Sequence, residues 1–219
     1  MGVPLESGDA GALVALLDRI ALEPQNLTAV SDPVDGVDRH LADSLSGLSL
    51  PVVRDAPGVV DIGSGAGFPG LALAIARPGL AVTLVESEGR KADWLRRASA
   101  ACHNVRVVAD RSEKLASDEG AAWPLATARA LGPLPATLEL AAPLLAMGGT
   151  VVVWRADVAP EEERRGARAA SILGLQPAGV TAVRPFREAR RHLHEFRKVA
   201  PTPERFPRRP GRAASRPVA

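Results

Sequence analysis

The sequence predicts an α/β fold: a mostly parallel, seven-stranded sheet with helices on both faces, preceded by a short helical segment. Three observations lead there. From Val59 onward, short apolar runs alternate with helical stretches, the signature of βαβ crossovers and a sheet covered on both sides. The first run ends in a glycine-rich turn, "VVDIGSGAGFPG". The next ends in an acid, Glu86 of "VTLVES", nineteen positions after Gly67.

The elements follow in order. Leu13, Leu16, Leu17 and Ile20 recur at helical spacing and mark an N-terminal helix. Asp32 caps a second helix with Pro33 at its first position, where no N–H is needed. Val34, Val37, Leu41, Leu45 and Leu48 form its expected apolar stripe. Then come strand "GVVDIG", helix "FPGLALAIARP", strand "LAVTLVES", basic helix "GRKADWLRRASAACH", strand "VRVVAD", strand "LATARA", helix "LPATLELAAPLLAM", strand "GGTVVVWR" and charged helix "APEEERRGARAASILGL". "AGVTAVRPF" and "RRHLHEFRKV" are adjacent and short-linked, so they are expected to pair antiparallel. "TPERFPRRPGRAASRPVA" is Pro-rich and basic and reads as an extended tail. The expected division is a helical extension over residues 1–50, a cofactor-binding domain over 51–200 and a tail over 201–219.

Composition narrows the function. The chain has 219 residues, 46% of them hydrophobic but only 3% aromatic, with no Tyr. Ala, Val and Leu must therefore fill the core. Its single cysteine, Cys102, permits no internal disulfide and no thiol metal cluster. Neither a signal peptide nor an apolar run of about 18 residues is visible, so a cytoplasmic protein is expected, with no membrane association and no metal. From Arg184 onward eleven bases face three acids, +8 in all, which leaves −6 for the rest of a chain whose net charge is +2. An acidic body with a basic end implies a polyanionic partner, the alternative being a solvated tail.

The glycines carry the cofactor reading. Gly63, Gly65 and Gly67 at a strand end allow a tight turn and close approach of a ligand, and the following helix N-terminus favours negative charge. Glu86 is placed to accept hydrogen bonds from both hydroxyls of an adenosine ribose. NAD and S-adenosylmethionine both carry adenosine. Asp61, two residues before the first glycine, suits the cationic methionine part of the methyl donor. Asp110, Ser112 and Glu113 follow the third strand, where an adenine edge would lie.

Taken together, "NLTAVSDP", "RHLADSL", "VDIGSGAGFPGLALAIARP", "VTLVES", "RKADWLR", "ATARALGPLP" and "RRPGRAASRPV" resemble the bacterial 16S ribosomal RNA guanine-N7 methyltransferase family, also called glucose-inhibited division protein B. The resemblance runs from about Asn26 to the tail. It implies a Rossmann-like class I methyltransferase fold, S-adenosylmethionine as cofactor, and methylation of a guanine in the decoding-region loop of 16S rRNA. It also implies donor contacts at Gly63, Phe68, Ser112 and Glu113, and places Arg129 where donor and acceptor meet. The sequence departs from the family in lacking an aromatic before Asn26, and in Arg155-Ala156 where members often carry Lys-Gly.

The residues permit this chemistry. Guanine N7 has an in-plane lone pair and no proton to lose, so placement suffices and no general base is required. The motif that positions exocyclic amines is missing, and Cys102 lies away from any strand end. Asp43 is a candidate for stabilising the cationic product, a cap or surface role being the alternative. Histidines suggest no metal site. RNA contacts are assigned to Arg39, His40, Arg155, Arg191, Arg208, Arg209 and Arg212, with the helix bearing Arg90, Lys91, Arg96 and Arg97 as a further candidate. Trp94 is expected in the core. The expected partner is 16S rRNA or the 30S subunit, with the protein a monomer. Two other classes stay open: an NAD(P)-dependent oxidoreductase on a similar sheet, which would lack a Tyr-x-x-x-Lys pair, and a non-catalytic RNA-binding relative.

Overall fold

The computed structural model describes residues 7–156 and 159–219. Seven strands form one sheet: β1 (Gly58–Ile62), β2 (Ala81–Val85), β3 (Val105–Val108), β4 (Trp123–Arg129), β5 (Leu145–Arg155), β6 (Leu175–Val183) and β7 (Arg191–Lys198). Their order is β3-β2-β1-β4-β5-β7-β6. β7 runs antiparallel to both β5 and β6, and the other pairings are parallel. The chain leaves β1 toward β2 on one side and returns to β4 on the other. The crevice at their carboxyl ends is the switch point where α/β sheets bind ligands.

Helices α5 (Gly70–Ala76), α6 (Gly89–Ala98), α7 (Ser112–Glu119), α8 (Leu134–Ala141) and α9 (Pro160–Ile172) cover the sheet. Two cores result. One joins Val59, Leu73, Leu84 and Leu95 to Leu13, Leu16 and Leu17 of α1 (Ser7–Ala21). The other joins Val60, Ala126 and Val151 to Leu138, Leu173 and Phe206. Aliphatic side chains fill both, as an aromatic-poor sequence requires.

The second helix departs from its expected stripe. Asp32 caps α2 (Pro33–Gly36), its carboxylate accepting from the N–H groups of Val34 and Asp35. A π turn then spans Val37–Ala42, in which the Asp43 N–H reaches back to the Asp38 carbonyl. It runs on into α3 (Asp43–Leu45) and a 3₁₀ turn, Ser46–Ser49, before α4 (Pro51–Arg54). The wide turn rotates the buried face, so Leu41, Leu45 and Leu48 are buried while Val34 is 80% exposed. π turns of this kind are frequent at functional sites.

The tail is not extended. Residues 201–219 fold back over α7, α8 and α9 as a strap, with Phe206 in the second core and a short helix, α10 (Arg212–Ser215). Its fastener is Glu139 of α8, only 3% exposed. Arg208 donates to both Glu139 oxygens at 2.5 Å from Nε and from Nη2, and the Val218 N–H adds a third bond at 3.1 Å. A buried carboxylate needs such compensation. The Pro- and Arg-rich composition misleads because this partner lies about 70 positions upstream in sequence.

Where the strap leaves β7, Lys198 is buried. Its Nζ donates to the Ala142 carbonyl at 2.6 Å and to Thr202 Oγ1. Burial lowers its pKa from 10.5 to about 8. Between about pH 8 and 10.5 the unfolded chain therefore holds a proton that the folded chain does not, and stability rises with pH across that window. Burial pushes the Cys102 thiol up, which acts in the opposite direction in the same window, so the comparison of parent with Lys198→Met isolates the lysine. Between pH 7.5 and pH 10 the urea midpoint should shift upward more, or fall less, in the parent than in Lys198→Met; equal shifts would refute the assignment.

Candidate functional site

The glycine loop follows β1, and its shape is set from beneath. Gly63, Gly65 and Gly67 adopt φ of 69°, 55° and 112°, values that side chains with a Cβ disfavour. Asp61 is 0% exposed. Its Oδ1 accepts from Thr127 of β4 at 2.8 Å and its Oδ2 from the Gly70 N–H at 3.2 Å. Burial raises its pKa, opposed by those hydrogen bonds. Both Asp61 oxygens are thus engaged inside the protein, and in this structure the side chain ties the loop to β4. A Cβ on Gly70 would lie 2.5 Å from Leu84 and 2.7 Å from Asp61, so the helix can start there only on a glycine.

Glu86, buried at the end of β2, closes the loop from the side. Its Oε2 accepts from the Gly65 N–H at 2.9 Å and its Oε1 from the Glu88 N–H at 2.8 Å. Trp94 packs in the core as expected, and its indole N–H also holds the loop, donating to the Ala66 carbonyl at 3.2 Å. Beside the loop runs a cleft lined by Gly63, Val85, Asp110, Ser112, Glu113 and Leu131, with Gly211 and Ala214 of the strap closing its far side. Ser112 and Glu113 head α7, a helix the sequence reading missed. Glu113 also receives the Gly211 N–H at 3.1 Å. The tight turn, the acid beside it, the apolar floor and the polar rim fit a nucleoside-bearing ligand.

Above the loop a second cluster joins the N-terminal segment to the sheet. Arg129, at the end of β4, donates from Nη1 to Asp43 Oδ2 at 2.8 Å and to the Arg39 carbonyl at 2.9 Å. Arg191, at the start of β7, donates to Asp43 Oδ1 at 3.1 Å. The ring of His40 stacks on Phe68 of the glycine loop, centroids 4.5 Å apart, and the Arg129 guanidinium lies 5.4 Å from the same Phe68 ring. His40 Nε2 lies 3.0 Å from the Val30 carbonyl and Nδ1 lies 3.3 Å from Arg129 Nη2. That pairing requires the neutral Nε2–H tautomer. Burial holds the imidazole below its ordinary pKa, reinforced by Arg129 against the Val30 bond.

Comparison with known proteins agrees with this architecture. The family model for GidB, rRNA small subunit methyltransferase G, matches residues 11–194. The chain belongs to this family. A ribosomal RNA small subunit methyltransferase G from Chloroflexus aggregans is 37% identical over 99% of this chain and 93% of its own length. The Synechococcus elongatus protein of the same name is also 37% identical, over 88% and 82%. Among solved structures, a Burkholderia thailandensis 1,6-didemethyltoxoflavin-N1-methyltransferase superposes with a TM-score of 0.57 at 17% identity, over 91% of this chain and 94% of that one. A 16S rRNA adenine-N1-methyltransferase from Catenulisporales acidiphilia gives 0.56 at 16%, over 69% and 90%. The fold is that of class I methyltransferases, as the sequence predicts.

Within this family member, the expected RNA-contacting residues separate into two groups. Arg39, Arg209 and Arg212 are exposed. The other four are engaged internally. Arg155 donates to the Gly132 carbonyl at 2.7 Å and to Glu162 at 2.5 Å; Arg191 holds Asp43; Arg208 holds Glu139; His40 is stacked and buried. On α6, Arg90 and Lys91 pair with Glu88, Arg96 with Asp93, and Arg97 with Glu23. No group of three or more potential ligands for a metal occurs among the described residues, and no helix among them is long and apolar enough to cross a membrane.

Asp43 thus has a role the sequence only hinted at: one carboxylate between two guanidiniums, with side-chain exposures of 6%, 15% and 26% for Asp43, Arg129 and Arg191. Asp43→Asn should cost about 2–3 kcal/mol, below the loss for a fully buried pair because Arg191 stays partly hydrated. Amide exchange across residues 33–49 should accelerate, and unchanged exchange there would show that the carboxylate does not hold the segment.

Proposed function

We propose that the protein transfers a methyl group from S-adenosylmethionine to N7 of a guanine in the decoding-region loop of 16S rRNA. The observation that carries the reading is the cradle Gly63–Gly70, closed by Glu86 on one side and facing Arg129 at the switch point of the sheet. The relatives' names supply the class of RNA, and the family resemblance supplies the base and its atom.

The chain's own residues do the following. Glu86 retains lone pairs beyond its two backbone bonds and accepts from the ribose hydroxyls. Gly63 leaves the backbone open beside the cleft. Ser112 and Glu113 meet the adenine edge. Asp61 acts beneath the site, fixing the loop. The cofactor, when bound, supplies a methyl group on a cationic sulfur. Guanine N7 presents its lone pair without losing a proton, so Arg129, His40 and Phe68 serve to position rather than to exchange protons. Of the expected RNA contacts, Arg39, Arg209 and Arg212 are the exposed ones, placed to meet phosphate.

Two measurements test this. Glu86→Ala removes a charged acceptor worth about 1.5–3 kcal/mol, so affinity for S-adenosylhomocysteine in calorimetry should fall roughly 10- to 100-fold; a folded variant of undiminished affinity would remove Glu86 from the site. Nucleoside mass spectrometry of 30S subunits treated with protein and donor should show new 7-methylguanosine. A product methylated only at an exocyclic amine or at C5 would refute the proposed target, and no product at all would favour a non-catalytic relative.

A further inference from the structure

The strap has two faces, and they belong to two different sites. On the inner face, Gly211 and Ala214 wall the cleft beside the glycine loop, and the Gly211 N–H holds Glu113. On the outer face, the adjoining residues Arg212 and Arg216 turn into an open cup of about 650 Å³, together with Arg165, Arg205 and Phe206. Arg208 at its edge is neutralised by Glu139, and Arg165 is spent on a main-chain oxygen of Ala219, which also lines the cup, at 2.7 Å. Arg205, Arg212 and Arg216 have no carboxylate partner among the described residues.

Guanidiniums gathered in one concavity repel one another, and a multivalent anion relieves that repulsion. Arginine also matches phosphate oxygens in a planar, two-pronged way. Phe206 gives the cup a rigid floor, with the Arg205 and Arg208 guanidiniums 5.3 and 5.8 Å from its ring. A short backbone helix separates this cup from the cleft, so a ligand that fixes one face fixes the other.

We propose that the cup binds consecutive phosphates of the RNA substrate, and that this binding is coupled to donor binding through α10. The inference rests on the donor and RNA reading above. Phosphates in the cup hold the strap in the position from which Gly211 steadies Glu113, which raises affinity in the cleft. By linkage, a filled cleft raises affinity for RNA by the same factor.

The test uses the full chain, S-adenosylhomocysteine as cleft ligand and inorganic tripolyphosphate as probe for the cup, at constant ionic strength. Calorimetry should show tripolyphosphate tightening S-adenosylhomocysteine by about fivefold or more in the parent. The double variant R212Q/R216Q should bind tripolyphosphate more weakly and lose most of that enhancement. Melting temperatures of both proteins identify a variant that has merely unfolded; the single variant Arg216→Gln then takes its place. Equal tripolyphosphate affinity in parent and variant would overturn the cup. Binding of both ligands without mutual enhancement would overturn the coupling. A chain that binds tripolyphosphate through Arg212 and Arg216 but never binds S-adenosylhomocysteine would overturn the donor reading and the coupling, while the cup would stand.

Discussion

The carboxylate of Asp61 is the constraint on which the site depends. It is fully enclosed between β1, β4 and the first turn of α5, with Thr127 and the Gly70 N–H as its partners. A charge in that position is tolerated only while its hydrogen bonds are in place. They dictate where the chain turns back after β1, and there is no room for a side chain at residue 70. Once the turn is fixed, Gly65 falls within reach of Glu86, Ala66 under the Trp94 indole, and Phe68 against His40. The N-terminal segment is thereby brought onto the sheet, and Asp43 meets Arg129 and Arg191.

The same device recurs at three other places where the chain leaves regular structure. Glu86 receives two loop N–H groups, Glu113 receives Gly211, and Glu139 receives Arg208 and Val218. All three are nearly buried. A sequence with 3% aromatics and no Tyr has few large rings with which to pin loops and tails by packing. Carboxylates bonded to backbone N–H and to arginine take that part. Such groups add little net stability over apolar replacements, but losing one partner is costly. Their contribution is to select one path for irregular backbone.

This division explains what the sequence made legible. The sheet and the glycine loop were readable because they follow from local pattern: apolar runs, glycines at a strand end, and an acid at the end of the next strand. Glu86 stands where that pattern puts it. The features that escaped are held by distant partners. The π turn over Val37–Ala42 shifts the helical period within a few residues, which a stripe from Val34 to Leu48 cannot register. Helix α7 buries only Ser112, Glu113, Leu115 and Ala116, too few apolar groups to declare itself. The strap resembles a solvated tail because Glu113 and Glu139 supply what its own composition lacks. Arg191 and Arg208 resemble phosphate contacts for the same reason: their acids are remote in sequence and close in space, whereas the acid of Arg155, Glu162, lies seven residues on in α9.

The charge asymmetry takes on a different meaning in this light. The basic end does not hang from an acidic body; part of it is neutralised by that body, and the bonds so formed shape the cleft. The arginines left over in the strap, Arg205, Arg212 and Arg216, have no carboxylate partner among the described residues. For attack by an in-plane lone pair, a protein contributes chiefly the holding of two reacting groups in line, since no proton has to be moved. A cradle tied to the buried carboxylates of Asp61 and Glu86 suits that demand, because fixed partners need no reorganisation as charge passes from sulfur to base. The buried, neutral His40 is consistent with such a design. Its two nitrogens are committed to Val30 and Arg129, so it lends shape to the site and has no free position from which to act as a base.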